Sequence, residues 1–388
     1  MEIQQYFDIK KKLYNSVLSF IDDFNCDDHD FQSLIAFIKS NNIQESREEL
    51  SHLLRLISNL IDSHHRNPYF FEKIEKIILN IKDAIQQFFS NIEIFDIFKS
   101  NKRIVLFLLE KEIVKLDQSI FSYMIQKVDL NGTKYCHFFL PEIEKFNKEL
   151  KNKDVEKILS EVDSSIYVDY DKKRREGEND SYICTLIREE SVTEFISYVN
   201  RKNISLSSKI LPSIFETNLF LIENEPTLIE YAAFFGSIEI FQFLFLNNVT
   251  INYSVWMYGI HSNNSDLLRN HIETNITEQN DKCFEELLKE SIKCHHNDIT
   301  EYIGNYLINQ ELFDSKLQTN FTENVVECIF QYSNYSFYPN DINKNFVFFH
   351  LCDYGYNKIV NLYMEMKKND IEKSIISNEE LNQIKIKI

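Results

Sequence analysis

The stretch from Thr227 to Val249 constrains the fold of this chain more than any other part of the sequence. Two adjacent alanines, Ala232 and Ala233, let neighbouring helices approach closely, and Gly236 follows shortly after them. Glycine adopts the left-handed conformation that ends a helix at little steric cost. The pattern therefore predicts one helix that ends at Gly236 and a second that follows it. The apolar stripe of the second helix consists of Ile240, Phe241, Leu244 and Phe245.

Weaker copies of this helix pair recur along the chain. In the copy that begins at Ser254, Trp256 takes the apolar position of Ile229, and Asn263 takes the position of Gly236. A recurring supersecondary unit is typical of repeat proteins, in which each unit stacks on its neighbours. Further predicted pairs lie at 181–200, 282–307, 321–332 and 345–364, the last of them around Gly355.

Composition supports a helical fold. The chain has 388 residues, of which 44% are hydrophobic and 14% aromatic, so it can bury a large core. Only 6 glycines and 5 prolines are present, too few for the turns of an all-β sandwich or for a glycine-rich nucleotide-binding fold. The net charge of −18 opposes binding to nucleic acid. We therefore expect an all-α protein that does not bind nucleic acid.

The first 150 residues read as amphipathic helices, one of which follows Pro68. Within this region, residues 105–124 resemble residues 241–257, apolar for apolar. Either the repeats begin near residue 100, or two helix–loop–helix segments of this composition simply look alike. The sequence leaves both readings open.

The most polar stretch, Asp169–Ser181, marks the candidate domain boundary. The predicted organisation has four parts: an N-terminal helical domain at 1–165, a charged linker at 166–180, a degenerate repeat domain at 181–370 and a polar tail at 371–388.

Three phrases of the sequence carry a resemblance to ankyrin-repeat proteins: Ser63–Ile77, Glu194–Asn200 and Pro226–Gly236. The chain is similar more closely to a protozoan group, expanded in trichomonad parasites, that carries an uncharacterised domain of the ankyrin clan. The pattern departs from the ankyrin signature at Leu228, where proline is usual, and at Glu230, where histidine is usual. The resemblance implies a solenoid of helical hairpins that binds proteins, and it implies no catalytic residues.

Candidate metal and catalytic motifs have simpler interpretations. His64–His65 and Cys294–His296 lack a second cluster at zinc-site spacing, and adjacent helical residues point about 100° apart. The acidic run around Asp27 lacks the glycine and terminal glutamate of an EF-hand loop. We predict no metal, no cofactor and no catalytic residues.

The sequence favours a soluble protein of the cytoplasm. The seven cysteines are scattered, as expected of free thiols in a reducing compartment, and neither a signal peptide nor a long apolar segment is evident. Lys172–Arg175 could direct nuclear import, but acidic residues flank it, and a solvated linker is the preferred interpretation.

The predicted function is that of a scaffold or adaptor that binds another protein on the concave face of the repeats. The alternatives are an enzyme with its site in the N-terminal helices, or a purely structural spacer. If the face is free, replacing Tyr231 and Phe234 with alanine should change stability by no more than about 1 kcal/mol. The predicted partner-binding residues are Tyr231, Phe234, Phe235, Tyr258, His261, Ser262, Asp353 and Tyr354.

Overall fold

The computed structural model describes most of the chain, and the described residues form an all-α fold. Helix accounts for 73% of it, and the described residues contain no β-strand, which confirms the predicted class. Two isolated bridges, Val128–Lys134 and Lys209–Thr227, join loop residues. The described residues are 3–24, 28–61, 63–65, 67–129, 132–150, 156, 158, 167–272, 281–304, 322–338 and 345–371.

The α-helices are numbered in chain order through the described residues. The first ten are α1 (Ile3–Asp22), α2 (Asp28–Ser40), α3 (Arg47–Ile61), α4 (Phe70–Asn80), α5 (Lys82–Phe88), α6 (Asn91–Phe98), α7 (Lys102–Glu110), α8 (Gln118–Gln126), α9 (Leu140–Leu150) and α10 (Tyr170–Glu176). The others are α11 (Tyr182–Arg188), α12 (Val192–Lys202), α13 (Leu219–Asn224), α14 (Leu228–Phe235), α15 (Ile238–Leu246), α16 (Ser254–His261), α17 (Asp281–Lys293), α18 (Asn297–Tyr302), α19 (Glu323–Gln331), α20 (Asn345–Asp353) and α21 (Asn357–Ile371). Short 3₁₀ helices lie at Ile43–Glu45, Tyr135–Phe138 and Tyr335–Phe337, and a π-helix lies at Leu267–Ile272.

The chain divides into two compact units that do not follow the chain order. Unit 1 consists of Met1–Leu60, Asn67–Lys73 and Gln279–Ile388, and unit 2 consists of Ile61–Arg66 and Ile74–Glu278. Unit 1 thus combines the first helices of the chain with the last ones. This division differs from the consecutive domains predicted at 1–165 and 181–370. The predicted tail beyond Ile371 lies outside the described residues, as does Asp27 of the acidic run.

The predicted charged linker contains a folded helix of unit 2. Residues 170–176 form α10, and the Arg174 side chain is buried. Its guanidinium contacts the carboxylates of Glu142 and Asp171, each at 2.7 Å, and donates to the Phe138 carbonyl. Sequence composition did not predict this, because Glu142 and Phe138 lie more than 30 residues from Arg174 and their contacts leave no local pattern.

One type of turn recurs after the first helix of successive helix pairs. A residue with positive φ ends each first helix, and in five of these turns the next N–H bonds to the carbonyl five residues earlier, at 2.9–3.3 Å. This is the Schellman arrangement, which satisfies the carbonyls at a helix end. Asn263 occupies the left-handed position in its turn, as predicted from its alignment with Gly236. The six residues are Glu190, Gly236, Asn263, His295, Ser333 and Gly355.

In each unit, the first helices of neighbouring pairs pack side by side. In unit 2, α14 packs against both α11 and α16, and the second helices α12 and α15 also pack together. In unit 1, α19 packs against both α17 and α20. First helices that are neighbours in the chain therefore pack together, because each must bury its apolar stripe.

The ends of α14 show how the sequence sets its length. Thr227 accepts a hydrogen bond from the Glu230 N–H, and the Glu230 carboxylate accepts from the Thr227 N–H, which completes a capping box. The same carboxylate accepts the Ser254 hydroxyl at the start of α16. Glu230, which departs from the ankyrin signature, therefore joins the starts of two first helices.

We expect Gly236→Val to lower the free energy of unfolding by roughly 1–3 kcal/mol, because Gly236 has a φ of 68° and a β-branched residue is strained there. Asn263→Gly is the companion variant and should be close to neutral, since glycine accepts the φ of 49° found at Asn263. Thermal unfolding of both variants checks this. A Gly236→Val protein that melts with the wild type would contradict the assigned role of Gly236.

Candidate functional site

The predicted partner-binding face of α14 lies mostly inside unit 2. Phe234 is 0% exposed and Tyr231 is 1% exposed, while Phe235 is half-buried. The Tyr231 hydroxyl accepts a hydrogen bond of 2.8 Å from the Arg188 guanidinium, whose Nε lies 2.7 Å from Glu178. Burial raises the pKa of Tyr231 above its ordinary value. These side chains pack within the unit instead of lining an open face.

The predicted residues on α16 are also buried, because other parts of the chain cover them. Tyr258, His261 and Ser262 are 3%, 1% and 0% exposed. The Phe220 ring of α13 stacks on His261, with ring centres 4.0 Å apart, and meets Tyr258 edge-on at 4.9 Å. The segment between α12 and α14, which contains α13, therefore covers these residues.

A segment far away in sequence also contacts α14. The His65 ring stacks on Phe234 at 4.2 Å with an angle of 10° between the planes, and it meets Phe235 edge-on at 5.1 Å. In this structure, aromatic groups of the same chain therefore occupy the place at which Tyr231, Phe234 and the α16 residues are predicted to bind a partner. No short-range sequence pattern could have shown this pairing.

Of the last two predicted residues, Tyr354 contacts the wall of an open groove of unit 1. Asp353 is exposed and Tyr354 is half-buried. The Tyr354 hydroxyl donates to the Glu327 carboxylate at 3.3 Å, and burial together with that carboxylate raises the pKa of Tyr354 to about 12. Glu327 belongs to the wall of the groove that follows α17 and α19.

We call this feature the α17–α19 groove. Its volume is about 440 Å³. Lysines of α17 form one wall, and acidic and amide residues of α19 form the other. The lining residues are Lys289, Glu290, Lys293, Asn324, Glu327, Cys328, Gln331 and Tyr332.

The Cys328 thiol that lines the groove is poorly suited to nucleophilic attack. Burial, followed by the Glu290 carboxylate, raises the pKa of the Cys328 thiol to about 12, so the thiol stays protonated at neutral pH and is a poor nucleophile. Burial acts to lower the pKa of Lys293, but Glu290, 3.2 Å from its ammonium, together with Cys294 and Tyr332 outweighs that effect and raises the pKa. The groove thus presents fixed charges, amides and one tyrosine ring.

A buried polar cluster in unit 1 was not predicted from the sequence. The Lys10 ammonium lies 2.5 Å from Glu49 and 3.0 Å from Nδ1 of His52, and Lys10 is 1% exposed. Nε2 of His52 lies 3.2 Å from the Gly355 carbonyl, so Nε2 carries the proton and Nδ1 accepts from Lys10. This cluster joins α1 and α3 to the turn between α20 and α21.

The charges of this cluster explain the directions of its pKa shifts. Burial acts to raise the pKa of Glu49, but Lys10 and Lys358 outweigh it and hold the pKa below its ordinary value. Burial, and then the Lys10 ammonium, lower the pKa of His52 well below its ordinary value, so His52 stays neutral. These paired charges connect α1, α3 and the turn between α20 and α21.

The histidine motifs considered as metal ligands have other contacts. His65 lies on Phe234, as described above. Nδ1 of His295 lies 3.2 Å from the Tyr14 hydroxyl, and the Cys294 side chain is buried. His295 is also the left-handed residue of its turn, with a φ of 59°. These contacts give His65 and His295 roles in packing.

The basic run Lys172–Arg175 lies in α10 and does not form an extended segment. Lys173 pairs with Asp180 at 3.0 Å, and Arg174 is buried among its carboxylates. The candidate import signal therefore lies within a folded helix.

No protein-family model, no curated protein and no solved structure matches the chain. Among the described helices, none combines the length and the apolar character that crossing a membrane requires.

Proposed function

We propose that this protein is a scaffold that binds another protein through its series of helix pairs, which we interpret as degenerate ankyrin repeats. The ankyrin-like stretch at Thr227–Gly236 and the recurring left-handed turns support this interpretation. The turn after α7 belongs to the same type: Glu112 has a φ of 54°, and the Ile113 N–H bonds to the Leu108 carbonyl. This similarity supports repeats that begin near residue 100.

We place the partner at the α17–α19 groove because this groove is open and its lining residues lie on or next to first helices. The groove runs along first helices, which line the binding face in ankyrin repeats. The predicted residue Tyr354 donates a hydrogen bond to Glu327 in its wall. In unit 2, the chain's own rings cover the equivalent aromatic residues. The open groove is the single observation on which this proposal most depends.

The groove favours a polypeptide partner. Lysines on one wall and a carboxylate and amides on the other can pair with side chains of both signs and with backbone groups. Tyr332 adds an aromatic ring, the type of residue that contributes most at protein interfaces. Lys293 lies 5.8 Å from the centre of that ring, so charge and ring meet at one end of the groove.

Affinity capture from the native cell with a groove variant tests the proposal. We expect the combined variant Glu327→Ala, Gln331→Ala and Tyr332→Ala to lose partners that the wild type retains, by tenfold or more, since interface aromatics are worth about 2 kcal/mol or more. The matched control replaces exposed residues of the same three types, Glu223, Gln126 and Tyr182, with alanine. Equal recovery of all partners by the folded groove variant and the control would place the binding surface elsewhere.

A further inference from the structure

Contacts one helical turn apart join α17 and α19 and show that the two helices are parallel. The Asn324 amide donates to the Glu285 carboxylate at 3.3 Å, and the Cys328 thiol donates to the Lys289 carbonyl at 3.4 Å. The two residues of each pair are 39 positions apart in the chain. An antiparallel pair of helices would keep the sum of the residue numbers constant instead. The α17–α19 groove therefore consists of levels about 6 Å apart, the length of four helical residues.

At the next level of the groove, the chain pairs its own charges. The Lys293 ammonium lies 3.2 Å from the Glu290 carboxylate and 5.8 Å from the centre of the Tyr332 ring. Lys293 and Tyr332 keep the same separation in the chain as the two pairs before them. The first level is also closed across the groove, by the hydrogen bond between Asn324 and Glu285.

The middle level keeps two opposite charges that the chain does not pair. Lys289 lies on the α17 wall and Glu327 on the α19 wall, next to the residue level with Lys289. In the described part of the chain, neither side chain forms an ion pair, and the Glu327 carboxylate accepts the neutral Tyr354 hydroxyl. Glu327 is exposed and Lys289 is half-buried. One positive and one negative group thus face the groove from opposite walls.

An extended polypeptide segment matches this arrangement, because its successive side chains point to opposite sides. We propose that the partner segment bound in the α17–α19 groove carries adjacent acidic and basic residues, the acidic one paired with Lys289 and the basic one with Glu327. This inference rests on the proposed binding function and names the chemistry of the partner. Charges placed in this way fix the register of a bound chain and disfavour segments with like charges at those positions.

Selection from a displayed library of random heptapeptides on the full chain tests the proposal. The relevant peptides are those that the wild type retains and the variant Gln331→Ala, Tyr332→Ala does not, since this variant leaves both charges in place. We expect adjacent acidic and basic residues to be enriched about threefold or more over the unselected library, the factor that a partly exposed ion pair contributes.

Charge reversal then tests Lys289 directly, by fluorescence anisotropy with one selected, fluorescein-labelled peptide. Lys289→Glu should weaken binding about tenfold, because attraction becomes repulsion. Replacing the acidic residue of the peptide with lysine should restore binding to this variant. The control Lys12→Glu changes an exposed lysine of α1 and the net charge by the same amount, and it should bind within about twofold of wild type. If Lys289→Glu does not fold, Lys289→Gln replaces it, with an expected loss of about threefold.

The outcomes separate this inference from the proposed function. Groove-dependent peptides without the acidic and basic pair, or a Lys289→Glu protein that binds within about twofold of wild type, would overturn the inference and leave the binding function in place. The absence of any groove-dependent peptide would also overturn it. The capture experiment with the groove variant then decides the binding function separately.

Discussion

Glu49→Ala should lower the free energy of unfolding by about 3–5 kcal/mol, because it leaves the buried Lys10 ammonium without its carboxylate. Lys10 is 1% exposed, so water cannot replace the lost partner without opening the packing of unit 1. The His52 ring would then face that cation through Nδ1 alone. Urea unfolding of the variant and the wild type measures the difference.

Two further variants test whether the loss of stability comes from the ion pair. Glu45→Ala, at an exposed residue of the preceding 3₁₀ helix, should change stability by no more than about 0.5 kcal/mol. The double variant Lys10→Met, Glu49→Leu should be more stable than Glu49→Ala, because an apolar pair removes both charges. A Glu49→Ala protein within about 1 kcal/mol of wild type would show that the ion pair contributes little.

Phe234→Ala should lower the free energy of unfolding by about 3–5 kcal/mol, as expected for the truncation of a buried phenylalanine. The sequence alone predicts a change within about 1 kcal/mol for the combined change with Tyr231→Ala, since it places both side chains on a free face. In the structure, Phe234 is 0% exposed and contacts the rings of His65, Phe220 and His261. The large value is therefore the expected one.

Phe24→Ala is the matched control for this measurement, because Phe24 is 66% exposed and its truncation opens no cavity in the core. It should unfold within about 0.5 kcal/mol of wild type. If Phe234→Ala also unfolded within about 0.5 kcal/mol of wild type, the aromatic cluster around α14 would not be packed as described above. The prediction that Phe234 binds a partner would then stand.

The sequence by itself determined the features that depend on near neighbours in the chain. The helical class follows from the apolar periodicity and the scarcity of glycine and proline, and the structure confirms it. Gly236, Asn263 and Gly355 were assigned to corresponding positions, and all three have positive φ. Helix ends are local because capping and left-handed turns involve residues within a few positions of one another.

The tertiary structure decided which of the helix faces are open. The apolar residues around Phe234 form the same sequence pattern whether a partner or the chain itself covers them. Their burial depends on residues outside α14, here His65 and Phe220. The pairing of Lys10 with Glu49 and the pairing of His52 with the Gly355 turn are equally invisible in the sequence. Contacts of this kind leave no periodic signal, since each residue is an ordinary polar residue of its own helix. Local geometry was thus fixed by neighbours in the chain, and the exposed surface by distant contacts.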